Sequence, residues 1–166
     1  MPQEYSQTAK SVQSVQSGQW LMPDKEGLSM VGENENDLDL RSRQAFGKAR
    51  VLVVDDSLDI VRTCALLLQY SGFEVRTATN GREALKVAVE FHPRIALLDV
   101  GLPDLDGYEV ARTIRADLTL QAMTLIAITA YGNEENRRRA QAAGFDHYLV
   151  KPVQLYDLLA LITVQP

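Results

Sequence analysis

Five polar positions fall where apolar runs stop. Asp55 and Asp56 follow Val-Leu-Val-Val, Asp99 follows Ile-Ala-Leu-Leu, Thr129 follows Leu-Ile-Ala-Ile, and Lys151 follows Tyr-Leu-Val. A carboxylate is costly beside a buried run unless the run is a strand whose end opens on a site. Three carboxylates, a hydroxyl and an amine at one such opening suit a divalent metal and a phosphoryl group. Asp55 and Asp56, facing Asp99 from a neighbouring strand, repel it unless a cation neutralises the cluster. A hard, oxygen-liganded cation, Mg²⁺ above all, fits because it takes one or two carboxylates, waters and a phosphate.

The elements that must hold these groups follow from the apolar pattern. Unbroken Val/Ile/Leu runs are the signature of parallel strands buried on both faces. Strands are expected at Arg50–Val54, Glu74–Thr79, Arg94–Leu98, Thr124–Ile128 and His147–Val150. Helical spacing between them aligns Ile60, Val61, Cys64, Leu67 and Leu68, with Ser57 or Asp56 available as N-cap. Ala84, Leu85, Ala88 and Val89 line a second helix opened by Asn80-Gly81, and Val110, Ala111 and Ile114 a third. Ala140 and Ala143 mark a polar fourth helix ending at Gly144, supported by the Glu134–Arg138 and Glu135–Arg139 spacings. Leu155, Leu158, Leu159 and Ile162 line the fifth. Alternating strands and helices demand parallel strands with right-handed crossovers. The fold class is α/β, a doubly wound five-stranded parallel sheet with five helices. In such sheets ligands bind beyond the carboxyl ends of the strands. The second strand, Glu-Val-Arg-Thr-Ala-Thr, mixes charge with apolar residues and suits an edge.

VLVVDDS, LLDVGLPDLDGYEV, IAITA and DHYLVKP, in this order and spacing, resemble the response-regulator receiver domain of two-component phosphorelays. The resemblance covers roughly residues 48–164 and implies a flavodoxin-like sheet in the order 2-1-3-4-5. It implies that Asp99 accepts a phosphoryl group from a phosphohistidine of a sensor kinase or phosphotransfer protein. Asp56, Asp99 and the Gly101 carbonyl would be Mg²⁺ ligands, with Asp55 acting through water. Thr129, the Ala130 amide and Lys151 would hold phosphoryl oxygens. Pro103, Gly107 and Lys151-Pro152 look like loop formers, the last usually cis in the family. Tyr131 is expected to shield the phosphoryl group from water. Thr129 and Tyr148 would form the switch, Tyr148 turning in from an exposed rotamer. The altered face, within residues 133–162, would meet a downstream protein or a second copy. Such a protein is a signalling domain rather than an enzyme, and the alternative is a non-phosphorylated receiver that only binds.

Composition bounds the rest. The 166-residue chain has a formal charge of −5, so no general attraction to nucleic acid is implied. A single cysteine, Cys64, excludes an internal disulfide and fits a reducing compartment, the cytoplasm. No apolar stretch suggests a membrane span. Residues 1–47 are rich in Gln, Ser, Asn and acids and read as a disordered extension or linker; residues 48–166 read as the receiver. Trp20, Leu21 and Met22 form an apolar knot in the extension, and a short helix near Leu38–Phe46 is weakly signalled. After Lys151 only one short helix is expected, leaving no room for an output domain. His92 and His147 read as structural, and the Arg137–Arg139 run as a solvated face. Asp104-Leu105-Asp106-Gly107 mimics the nucleophile motif of dehalogenase-like phosphatases, but it does not directly follow an apolar strand.

Overall fold

The computed structural model describes residues 12–16, 19–21 and 49–163. The elements run β1 Val12–Gln16, β2 Gln19–Leu21, β3 Arg50–Val54, α1 Leu58–Tyr70, β4 Glu74–Ala78, α2 Gly81–Phe91, β5 Ile95–Asp99, α3 Gly107–Ala116, β6 Thr124–Thr129, α4 Glu134–Ala143, β7 His147–Val150 and α5 Leu155–Thr163. The sheet order is β2-β1-β7-β6-β5-β3-β4. From β7 to β4 all pairings are parallel, with Val51 opposite Ile95, Ile95 opposite Thr124 and Ile126 opposite His147. Those strands, counted among themselves, have the expected order 2-1-3-4-5.

Strand periodicity divides the core in two. Leu52, Val54, Ala96, Leu98, Leu125 and Ala127 point to one face and pack with residues of α2, α3 and α4. Val51, Val53, Ile95, Leu97 and Ile126 point to the other and pack with Leu68 of α1 and with Leu158 and Ile162 of α5. Each fully buried Leu or Ile contributes roughly 1.5–3 kcal/mol of transfer free energy, so both helical layers are firmly held.

Several boundaries and faces differ from the sequence reading. β5 and β6 each run one residue further, so Asp99 and Thr129 are the last residues of their strands. On α1 the buried residues are Val61, Ala65 and Leu68, whereas Ile60 and Leu67 are 45% and 41% exposed. The α1 stripe is narrower than the apolar spacing suggests. Glu134 pairs with Arg138 at 3.5 Å, but Arg139 turns away from Glu135 and lies 4.6 Å over the Tyr108 ring. A cation over an aromatic face competes well with an exposed ion pair, which is worth little in water.

Eight residues of the N-terminal segment are strands rather than irregular chain. β1 and β2 form an antiparallel hairpin, and β1 pairs antiparallel with β7. Trp20 and Leu21 belong to β2; Met22 and the helix expected near Leu38–Phe46 lie outside the described residues.

Candidate functional site

Each acidic group is delivered by the end of a strand. β3 runs out at Val54, and the next residue, Asp55, is 4% exposed. Its backbone N–H donates to the Ala78 carbonyl at 3.3 Å, and its Oδ1 accepts from the Ser57 N–H at 3.0 Å. Ser57 is the N-cap of α1 by backbone position, yet its side chain makes no capping bond. Asp56 projects to solvent. Asp99 ends β5, 7% exposed, with Oδ1 accepting from the Gly101 N–H at 3.0 Å.

Lys151 joins the two strand ends. Its Nζ donates to Asp55 Oδ2 and to Asp99 Oδ2, each at 2.7 Å. Burial alone would lower the lysine's pKa, but the hydrogen bonds to Asp55 and Asp99 outweigh it and hold the ammonium above its usual range. The Lys151 N–H donates to the Thr129 carbonyl at 2.7 Å, and the Lys151-Pro152 bond is cis. Thr129 is 3% exposed, and its hydroxyl oxygen accepts from the Tyr131 N–H at 3.2 Å. Oxygen atoms of Asp55, Asp56 and Asp99 all lie within 4.8 Å of one another. Three carboxylates with no soft donor among them fit a hard divalent cation.

The surrounding loops tolerate little change. A Cβ on Gly107 would lie 2.5 Å from the Asp99 carbonyl and 2.8 Å from Val100 Cα. Only glycine lets α3 begin directly against the backbone of Asp99. α3 is fixed there by a capping box between Asp106 and Glu109. Asp104 accepts from the Gly81 N–H at 2.9 Å, and chiefly that bond lowers its pKa, against desolvation. Both acids of the phosphatase-like motif are thus occupied in holding helix starts. Gly101 makes no such demand, since a Cβ there would meet only Asp99 Oδ1 at 3.7 Å.

Two expectations need correction or qualification. Tyr148 is 1% exposed rather than in an outward rotamer. Its hydroxyl donates to the Tyr131 carbonyl, and Arg137 lies 5.6 Å over its ring. The pocket beneath α4 already holds the ring, and a buried phenol needs the partner it finds there. Burial raises the Tyr148 pKa, with the Thr129 hydroxyl and Arg137 opposing. The Tyr131 side chain is 69% exposed; its backbone, not its ring, is what the site engages. His92 is exposed in the left-handed region at φ 47°, closing α2, and His147 is buried in β7.

Sequence reasoning missed a groove of about 730 Å³ beside the acids, between α1 and α5. Ile60, Cys64, Leu67, Pro152 and Val153 line it, with Asp55 and Lys151 at one end. The signal lay in the excess of apolar residues on α1. One face cannot bury Leu58, Ile60, Leu66, Leu67 and Tyr70 together with Val61 and Leu68, and the first five stay exposed.

Comparisons with known proteins agree with this geometry. The family model described as the response regulator receiver domain matches residues 51–163. The transcriptional regulatory protein PrrA of Mycobacterium tuberculosis is 40% identical over 113 residues, 68% of this chain and 48% of that protein. The chain thus spans about half the length of such regulators. An uncharacterized 14.6 kDa protein of Leptolyngbya boryana is 34% identical over 119 residues, 72% of this chain and 91% of that protein. The chemotaxis protein CheY4 of Vibrio cholerae superposes with a TM-score of 0.67 at 32% identity, over 69% of this chain and 96% of that one. The beryllofluoride-activated receiver domain of DrrB gives 0.63 at 32% identity, over 69% and 94%.

Proposed function

This chain belongs to the response regulator receiver domain family, and we propose that it accepts a phosphoryl group on Asp99 from a phosphohistidine donor. The observation that carries the reading is the meeting of Asp55, Asp56 and Asp99 within 4.8 Å with Lys151 bridging two of them. In the transfer, an Asp99 carboxylate oxygen attacks phosphorus as the P–N bond of the donor breaks. The electron pair leaves on the imidazole nitrogen, which takes up a proton. Phosphoryl transfer asks mainly for alignment and neutralisation of the equatorial oxygens, and these residues are suited to both. Asp56, Asp99 and the Gly101 carbonyl would hold Mg²⁺, with Asp55 reaching it through water. Bound there, the cation would neutralise charge on the phosphoryl group. The Lys151 ammonium, already on Asp99 at 2.7 Å, needs only to shift onto an incoming oxygen. Thr129 and the Ala130 amide would take another oxygen.

The donor is a sensor histidine kinase or a histidine phosphotransfer protein. The apolar groove between α1 and α5 opens beside Asp55 and Lys151, and a partner helix with an apolar face fits it. A receiver that only binds would have no use for an ammonium held between two buried carboxylates. Output would run through Thr129 and Tyr148 to a downstream protein or a second copy on residues 133–162.

Incubating the protein with Mg²⁺ and acetyl phosphate tests the assignment. One acid-labile, hydroxylamine-sensitive phosphate should appear and be absent from Asp99→Asn. Labelling of that variant at another residue would overturn it.

A further inference from the structure

We propose that the outer edge of β7 is a strand-docking site, occupied by β1 of the same chain with β2 paired to it. The two edges of the parallel sheet are built differently. β4 reads Glu-Val-Arg-Thr-Ala, with Glu74, Arg76 and Thr77 exposed. Charge along an edge discourages another strand from adding. β7 reads His-Tyr-Leu-Val, and its first three residues, those paired with β1, are buried with β1 in place. It holds no Lys, Glu or Pro to blunt it. Its outward N–H and C=O groups therefore call for backbone partners.

β1 supplies them. Val12 stands opposite Leu149, Gln13 opposite Tyr148 and Ser14 opposite His147, in antiparallel register. β2 then covers β1, with Ser14 opposite Leu21 and Gln16 opposite Gln19. Among the described residues β2 thereby covers Ser14, Val15 and Gln16 of β1 with a strand of only three residues, and very short edge strands resist addition.

The consequence is a built-in competitor. β7 lies between α4 and α5 in the chain and carries Tyr148. Any partner adding a strand to β7 must first displace β1. This inference stands on backbone register and edge composition, and is independent of the role given to Asp99.

Hydrogen exchange on the full chain tests it. Changing Gln13→Pro together with Ser14→Pro removes donors toward both neighbours of β1 while keeping the chain length. The β1-facing amides of residues 147–149 should then exchange about tenfold faster or more, with those of β5 and β6 unchanged. The region from residue 49 onward corresponds to nearly all of a solved receiver structure, 96% of that chain, and can be made alone. A synthetic peptide of residues 10–23 should bind it and restore the slow exchange. Equal exchange in the proline variant and the native chain, or no binding of the peptide, would overturn the proposal. Protection that falls on dilution would place the hairpin on a second copy and overturn the same-chain assignment.

Discussion

The Lys151 ammonium lies 2.7 Å from the Asp99 carboxylate while making an equal contact with Asp55. The phosphoacceptor proposed here therefore rests in an ion pair, and a single lysine bridges two carboxylates that would otherwise repel. Lys151→Ala should lower the melting temperature in chelator. The loss should be on the order of 2 kcal/mol, below the ~3–5 kcal/mol of a fully buried pair because the ammonium is partly exposed. Mg²⁺ should recover more stability in this variant than in the native protein, because it replaces the missing counter-charge. Thermal melts across a Mg²⁺ titration would show it, and an equal increment in both proteins would contradict it.

Asp56 gives the converse case. Its side chain is exposed, so Asp56→Ala should leave the stability in chelator within about 0.5 kcal/mol of native. The Mg²⁺-dependent rise should vanish, since linkage stabilises only in proportion to binding. Acetyl phosphate should no longer label Asp99. A native-sized Mg²⁺ response in Asp56→Ala would remove it from the ligand set.

The strand ends that carry this site were legible because a buried parallel strand has to be apolar throughout. Asp55, Asp99, Thr129 and Lys151 interrupt that pattern; the side chains of Asp55, Asp99 and Lys151 meet, and Thr129 joins Lys151 through its backbone carbonyl. The start of α2 is legible from Asn80 ahead of its apolar pattern, whereas the Asp106 cap of α3 is hidden within the phosphatase-like motif. Apolar spacing failed on α1, where Ile60 and Leu67 line a groove rather than the core. Periodicity shows which residues share a face, but not how much of that face a neighbour covers. β1 was invisible for a related reason. Val-Gln-Ser-Val-Gln has too little apolar character to announce a strand, and only the need of the β7 edge for partners explains its pairing.

Cys64 predicts a pH dependence. Burial first, and the Asp55 charge second, push its pKa up to about 11 from a usual 9.0. Between those values the unfolded thiol gives up its proton while the folded one keeps it. The folded state then binds more protons, so stability falls as pH rises across that window. Urea midpoints of the native protein should drop between pH 9 and 11, and those of Cys64→Ala should drop less. Mg²⁺ at the acidic cluster should offset the Asp55 charge and speed thiol alkylation at fixed pH. Parallel midpoint curves for the two proteins would contradict the shift.

The Tyr148 hydroxyl donates to the Tyr131 carbonyl, tying β7 to the loop that leaves Thr129. That loop is also held by the Tyr131 N–H on the Thr129 hydroxyl at 3.2 Å. Drawing Thr129 toward a phosphoryl group must break or redirect the second bond while the first keeps the loop anchored. The tether thus offers a route from Asp99 to α4, whose Arg137 lies over the same ring. Tyr148→Phe keeps the ring and removes the tether, at a cost of about 0.5–1.5 kcal/mol in stability. Beryllofluoride with Mg²⁺ should shift NMR signals of residues 131–137 in the native protein. In Tyr148→Phe the shifts at Thr129 should persist while those beyond residue 133 shrink. Native-sized shifts throughout α4 in the variant would mean that the signal passes by another path.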